Sequence, residues 1–380
     1  MTVAAAGVGS LAAGAAGALI AAVAVLDLFL TVFNYDGFTF VSGRYQRGLW
    51  RVIRASTRLM PGRARAALLS IGSAAMLPAT FAMWLGLEAT GFALMYWHGL
   101  SAGAFALRGA AASLGTAFYF SGGAIASLTF GDVVARGGLE RALVDLETIF
   151  GLATFTLALG YVVTAFGVLG ALENLHGQVR RHAEDLGRPS SILARHFQGG
   201  QSGDLPAFLQ SLGDDLETYD QGLRRYPVVY FFHTRRVHRS IPFVFATLGE
   251  LLALLRWGLP GDEPMTQDPF LAALLDGYST TLDRLRRSFV GPDPIEVPEP
   301  LDERSFTREY RRAGEGRDGV AAFCALEDRA RAAARAGPHE TDDAYRRYRE
   351  WFPFAYRQRV VLDRIADALC YERPFDGARL

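Results

Sequence analysis

Lysine is missing from this chain. All 39 basic residues are Arg, which matches the coding bias of a GC-rich genome and carries no functional signal of its own. Net charge is missing too, because 39 acidic residues balance the arginines. A nucleic-acid-binding protein is normally basic overall, so that class is excluded. Cysteine is scarce: Cys324 and Cys370 are the only two. They are too few and too far apart for a metal signature or a disulfide framework, and read as free thiols of a reducing cytoplasm. No P-loop and no H-E-x-x-H zinc motif occurs. The expectation is a protein that is not an enzyme and holds no cofactor or metal; a membrane-bound enzyme housed in the C-terminal part is the least favoured class.

Apolar surface is what the chain has in plenty. Half of its 380 residues are hydrophobic and the mean hydropathy is +0.14, which excludes a disordered chain. Charge is distributed unevenly. Residues 1–170 hold 10 Arg and 7 acidic residues; residues 171–380 hold 29 Arg and 32 acidic residues. A bilayer is the simplest solvent that explains the first part.

Three apolar runs are long enough to cross hydrocarbon as helices, Val3–Phe33, Ala66–Trp97 and Leu139–Gly170, each beyond the ~20 residues required. The first has no basic segment before it and is too long for a signal peptide, so it reads as a retained helix. Its Gly9, Ala13 and Gly17 allow close helix contact. The loop after it carries Arg44, Arg47, Arg51, Arg54, Arg58, Arg63 and Arg65 against one Asp36. The positive-inside rule puts this loop in the cytoplasm. The N-terminus is then outside, residues 98–138 lie on the outer side, and the long C-terminal part is cytoplasmic. The same loop has the make-up of an amphipathic surface helix against anionic lipid.

Residues 98–138 are too greasy for an outer connection. Ser113–Ala126 reads SLGTAFYFSGGAIA, too short to span and too apolar for an exposed loop. A re-entrant half-helix fits, since irregular backbone at membrane depth is tolerated only where protein buries it or it lines a wet cavity. Ser127-Leu128-Thr129-Phe130-Gly131-Asp132 follows, and then the third run.

This stretch resembles the pore module of the potassium channel family: outer helix, pore helix, filter loop of the form T-x-G-Y-G-D, inner helix. The resemblance covers about residues 66–170. Tyr119-Phe120-Ser121-Gly122 looks like the end of the pore helix in bacterial members. Ser127 stands at the filter Thr, Leu128 at the variable position, Phe130 at Tyr, and Gly131-Asp132 match the closing pair. Thr129 occupies the place of the first filter Gly, and a β-branched residue there is a departure. The wider layout is similar to bacterial channel-like proteins with an extra N-terminal helix and a helical tail, whose Arg225-Tyr226-Pro227-Val228 stretch also looks alike. The resemblance implies four loops whose carbonyls replace an ion's hydration shell. It therefore implies a homotetramer in a plasma membrane, conducting monovalent cations, K+ among them, with selectivity put in question by Thr129. A non-conducting scaffold or sensor derived from a channel is the rival.

Charged groups in apolar runs are functional candidates. Asp27 lies near the inner end of the first run, where it reaches the interface or pairs with Arg44 or Arg47, and Glu88 lies deeper in the second. Asp145 and Glu147 open the third run; Glu147 is placed to brace the filter loop, and Asp132 to draw cations to the mouth. In the inner helix of this family a Gly serves as a gating hinge, and Gly160 is the position for it here. In the tail, Ile241–Trp257 is apolar but holds Pro242 and Glu250, which speaks against a fourth span. His233 and His238 read as part of a basic surface with Arg235, Arg236 and Arg239; Arg346, Arg347, Arg349 and Trp351 read as a surface salt-bridge lattice. The expected fold is all-α. An N-terminal helix and basic loop (1–65) precede a pore module (66–170), a cytoplasmic helical domain (171–290), a Pro-rich linker (291–300) and a C-terminal helical segment (301–380). Partners are the lipid bilayer and further copies of the chain.

Overall fold

The computed structural model describes residues 2–34, 39–128, 130–182, 189–197, 204–312, 318–334 and 341–375. Asp36 and Thr129 lie outside the described residues. Helices α1 (Thr2–Phe33), α2 (Ser42–Ser56) and α3 (Gly62–Ser101) come first. Strand β1 (Phe105–Leu107), helix α4 (Leu114–Ile125) and strand β2 (Val133–Ala135) follow, then the long α5 (Gly138–His182). The remainder is α6 (Pro189–His196), α7 (Leu205–Arg225), α8 (Ile241–Ala253), α9 (Pro269–Leu285), α10 (Glu303–Tyr310), α11 (Asp318–Ala334) and α12 (Thr341–Leu369). The chain is predominantly helical; the two short strands depart from the purely helical expectation. Residues 1–167 with 223–232 form one compact unit, and residues 168–222 with 233–380 form another.

In the first unit α1 and α3 run antiparallel, because Ser10 meets His98, Gly17 meets Gly91 and Asp27 meets Trp84. Of the small residues expected to allow close approach, Gly17 does so: a Cβ there would collide with the backbone of Gly91, and one on Gly91 would lie 2.7 Å from the amide of Ala21. Helix α5 buries Glu147, Gly151, Thr154, Ala158, Tyr161 and Ala165. This spacing of three and four puts them on one face. Its other side exposes Leu152, Phe155, Leu159, Val163 and Phe166, an apolar surface facing away from the unit's own core.

Helix α4 is 12 residues long, about 18 Å at 1.5 Å per residue, roughly half of a hydrocarbon layer. Ser113 starts it by accepting the amide of Thr116 at 3.1 Å. The flanking strands pair antiparallel, Phe105 with Ala135 and Leu107 with Val133. The chain therefore leaves and returns on the same side, as a re-entrant excursion must. Residues 223–232, part of the charge-dense half in sequence, pack in this unit through ring contacts of Tyr226 with Tyr161, Phe231 with Trp50 and Phe232 with Phe166.

Among the described residues, four helices are long and apolar enough to cross a membrane: Ser10–Phe33, Gly62–Ser101, Gly138–Arg181 and Ile241–Gly258. The apolar windows of the first three are 28–33% buried within the protein; that of the fourth is 78% buried. Helix α8, the fourth, is the core of the second unit, where Tyr278 of α9 donates to the carbonyl of Phe245 at 2.9 Å. The Pro-rich stretch 291–300 is extended, and the Arg286 guanidinium donates to its carbonyls at Pro292 and Asp293 (3.0 and 2.6 Å).

Two expectations about this unit are corrected. His233 is buried and stacks on Tyr371, with ring centroids 4.3 Å apart, so it is core and not basic surface. Arg347 and Trp351 are buried as well: the Arg347 guanidinium pairs with buried Glu327 at 2.5 Å and donates to the Trp257 carbonyl at 2.6 Å. Arg347→Met leaves Glu327 buried without its counter-charge and is expected to destabilise the protein by about 3–5 kcal/mol; urea or thermal denaturation measures this. Both cysteines are free thiols, as expected, but they are half-buried where buried thiols were expected. Burial, aided by the nearby Glu327 and Asp328 carboxylates, pushes the Cys324 thiol up to about 11. In a Cys370→Ser background, alkylation of Cys324 at neutral pH should run about a hundredfold slower than that of an ordinary free thiol, followed by mass spectrometry.

Candidate functional site

Glu147 is the hub of the first unit. It is fully buried on α5. One carboxylate oxygen accepts the Tyr96 hydroxyl of α3 at 2.6 Å; the other accepts the Ser121 hydroxyl of α4. Ser121 also reaches the carbonyl of Ala89 at 3.1 Å. A single side chain thus joins α3, α4 and α5 through donors that are themselves buried. The brace expected of Glu147 acts on α4, the helix before the loop. Below it, Gly151 brings α5 against the end of α4: a Cβ there would sit 2.7 Å from the carbonyl oxygen of Ile125. Thr148 adds a hydrogen bond to the carbonyl of Ala124 at 3.3 Å.

The loop after α4 turns sharply. Ser127 has φ +57° and Gly131 has φ +76°, both in the left-handed region; for Ser127 this costs on the order of 1–3 kcal/mol. The amide of Leu128 donates to the carbonyl of Gly123 at 2.7 Å, which ties the start of the loop back to α4. The side chains of Leu128 and Phe130 are exposed. Phe130 stacks on Tyr119 at 5.6 Å, and the Tyr119 hydroxyl is hydrogen-bonded to Asp132. The Asp132 carboxylate also accepts the amide of Val133 at 3.1 Å. Exposed Asp145 and Arg141 line, with Asp132 and this loop, a cavity of about 520 Å³.

The other intramembrane candidates lie apart from the loop. Glu88 is buried on α3 and accepts the hydroxyl of Thr154 on α5 at 2.6 Å, a second link between these two helices. Asp27 does not pair with Arg44 or Arg47 among the described residues. It is fully buried and accepts the amides of Phe40 (3.0 Å), Val41 (2.6 Å) and Ser42 (3.1 Å) and the Trp84 indole (2.8 Å). An anion at the start of α2 supplies the acceptors that a helix N-terminus lacks. Gly160 is exposed within an unbroken α5, with open space around it. Sequence reading missed Tyr96, Thr154 and Trp84, and read Tyr119 and Ser121 only as positions of the pore-helix resemblance. The signal available was that these are polar or amphipathic groups in apolar runs; which carboxylate each meets was not in the local pattern.

Two glycine patterns associated with enzymes do occur. Gly99-Leu100-Ser101-Ala102-Gly103 spells G-x-S-x-G, but Ser101 ends helix α3 and its hydroxyl donates to the carbonyl of Trp97 at 2.8 Å; a nucleophile elbow needs a strand before the serine. Gly314-Glu315-Gly316-Arg317-Asp318-Gly319 spells G-x-G-x-x-G after helix α10, where a dinucleotide site needs a strand; most of it lies outside the described residues.

No protein-family profile and no solved structure matches the chain. It is 22% identical over 286 residues to the uncharacterized membrane protein YdjJ of Bacillus subtilis strain 168, a match covering 75% of this chain and 81% of that one.

Glu147→Ala strands the buried hydroxyl of Tyr96 and leaves that of Ser121 only the carbonyl of Ala89. At about 1–3 kcal/mol per orphaned donor, the expected loss is roughly 1–3 kcal/mol, and Glu147→Gln, which still accepts one hydroxyl, should lose less. Thermal melting in detergent reads both, and equal melting temperatures for wild type and Glu147→Ala would show that the junction carries no stability.

Proposed function

We propose that the chain is a membrane-embedded, potassium-channel-like subunit that conducts monovalent cations as a homotetramer. The observation that carries this reading is the half-helix α4, which enters and leaves on one side between α3 and α5 and ends in a loop with left-handed positions at Ser127 and Gly131. Left-handed residues let carbonyls along a strand-like loop turn the same way, which is what ion coordination by backbone requires. One such loop cannot enclose an axis, so several copies are needed. The exposed apolar side of α5 offers them, and lipid, a surface.

In this reading α1, α3 and α5 span the plasma membrane and α8 does not. Its apolar window is satisfied inside its own unit, whereas a spanning helix would present more of it to lipid. Three spans put the N-terminus outside and the Arg-rich segment around α2 in the cytoplasm. The description of YdjJ as a membrane protein agrees with a membrane location. Asp132 raises the local cation concentration at the outer mouth, Glu147 holds α4, Gly160 serves as the hinge of the inner helix, and the helical tail couples cytoplasmic state to it.

A non-conducting scaffold is the second reading, favoured by Thr129 at the place of a filter glycine. Flux of K+ and Na+ from liposomes holding wild type or Thr129→Gly separates the two. The channel reading expects wild-type flux and greater K+ flux in the variant. Neither protein conducts if the axis is sealed, and a monomer by light scattering in detergent rejects the pore outright.

A further inference from the structure

We propose that the exposed arginine face at the start of α2, with Phe40 before it, is a binding site for the headgroup of an anionic phospholipid. The site combines a depth, a charge and an apolar floor. The depth comes from Asp27. The amide of Ser42 rests on a carboxylate only six residues before the end of α1, about 9 Å along the helix. The first turn of α2 is thereby held at the level where an apolar span ends and headgroups begin.

The charge comes from α2. Arg44, Arg47 and Arg51 are exposed. At 100° per residue they fall, with half-buried Arg54, in an arc of about 80°. No acidic residue occurs in the sequence between Asp36 and Glu88, and among the described residues no carboxylate pairs with these arginines. The Arg44 guanidinium donates to the carbonyl of Phe40 at 2.9 Å and lies 5.8 Å from that ring, which uses one of its five donors and leaves the rest for a phosphate. The apolar floor is Phe40, large and exposed, with the Arg44 guanidinium over its ring. An exposed aromatic ring beside a guanidinium group suits the upper acyl chain and phosphodiester of one lipid, whereas a nucleic acid or an acidic protein has no use for a ring at that depth. The inference rests on α1 as a span and not on conduction.

Native mass spectrometry of the detergent-purified full chain tests it, with phosphatidylglycerol or phosphatidylcholine added at equal concentration. Wild type is expected to retain phosphatidylglycerol preferentially, and less of it as NaCl rises. Arg44→Gln/Arg47→Gln should bind it about 30-fold more weakly, roughly fivefold per arginine, while Arg44→Lys/Arg47→Lys keeps most of the binding. Arg47→Gln/Arg51→Gln gives the same readout without disturbing the Arg44–Phe40 contact. Equal retention of the two lipids by wild type overturns the proposal, as does unchanged retention by both Gln pairs. Displacement by inorganic phosphate, but not by chloride at the same ionic strength, also overturns it, because the site would then serve free phosphate. A protein that fails to conduct but passes this test refutes the channel reading and leaves the lipid site standing.

Discussion

A carboxylate among apolar helices has no water to turn to, so the protein itself must supply its hydrogen bonds. The first unit is organised by how Asp27, Glu88 and Glu147 meet that requirement. Each is buried and each takes at least one donor from a different helix, although the second oxygen of Glu88 is left without a hydrogen bond among the described residues. Asp27 joins α1, the start of α2 and Trp84 of α3. Glu88 joins α3 to α5. Glu147 joins α5, α3 and α4. The helices of the unit are thus pinned at polar points as well as packed through apolar faces, and an arrangement of polar points is more specific than apolar packing alone, which tolerates sliding.

The same requirement shapes the half-helix. A 12-residue helix cannot leave its ends in hydrocarbon, so its amides and carbonyls must be answered locally. Ser113 answers at one end and the loop amides at the other, where those of Ser127 and Leu128 reach back to Ala124 and Gly123. The cost is a left-handed Ser127, held because Glu147, Thr148 and Gly151 fix α4 from behind. A backbone that is strained at one place and over-determined around it is where function concentrates. The loop is also the part of the fold with Tyr119, Phe130 and Asp132 gathered beside one cavity.

Much of the layout is legible in the residues. The apolar runs mark α1, α3 and α5, the short apolar Ser113–Ala126 marks α4, and Pro242 with Glu250 foretells that α8 belongs to a core. Glu147 is legible as a brace because a charge in the first turns of an apolar helix needs a partner. Less legible are partners far away in sequence. Trp84 lies 57 residues from Asp27, Thr154 lies 66 residues from Glu88, and nothing in the local pattern pairs them. The tail is the least legible: alternating charges around Arg347 look like a solvated face, yet burial of Glu327 opposite turns one of them inward.

Composition and periodicity determined the helical class, the apolar runs and the basic segment between the first two, because hydropathy and local propensity act along the chain and need no partner. Tertiary structure alone decided that Asp27 caps α2 and not an arginine, that Tyr96 and Ser121 share Glu147, and that residues 223–232 pack with the apolar unit. Each of those depends on groups brought together from distant positions, where burial removes water and only the folded chain can supply the partners.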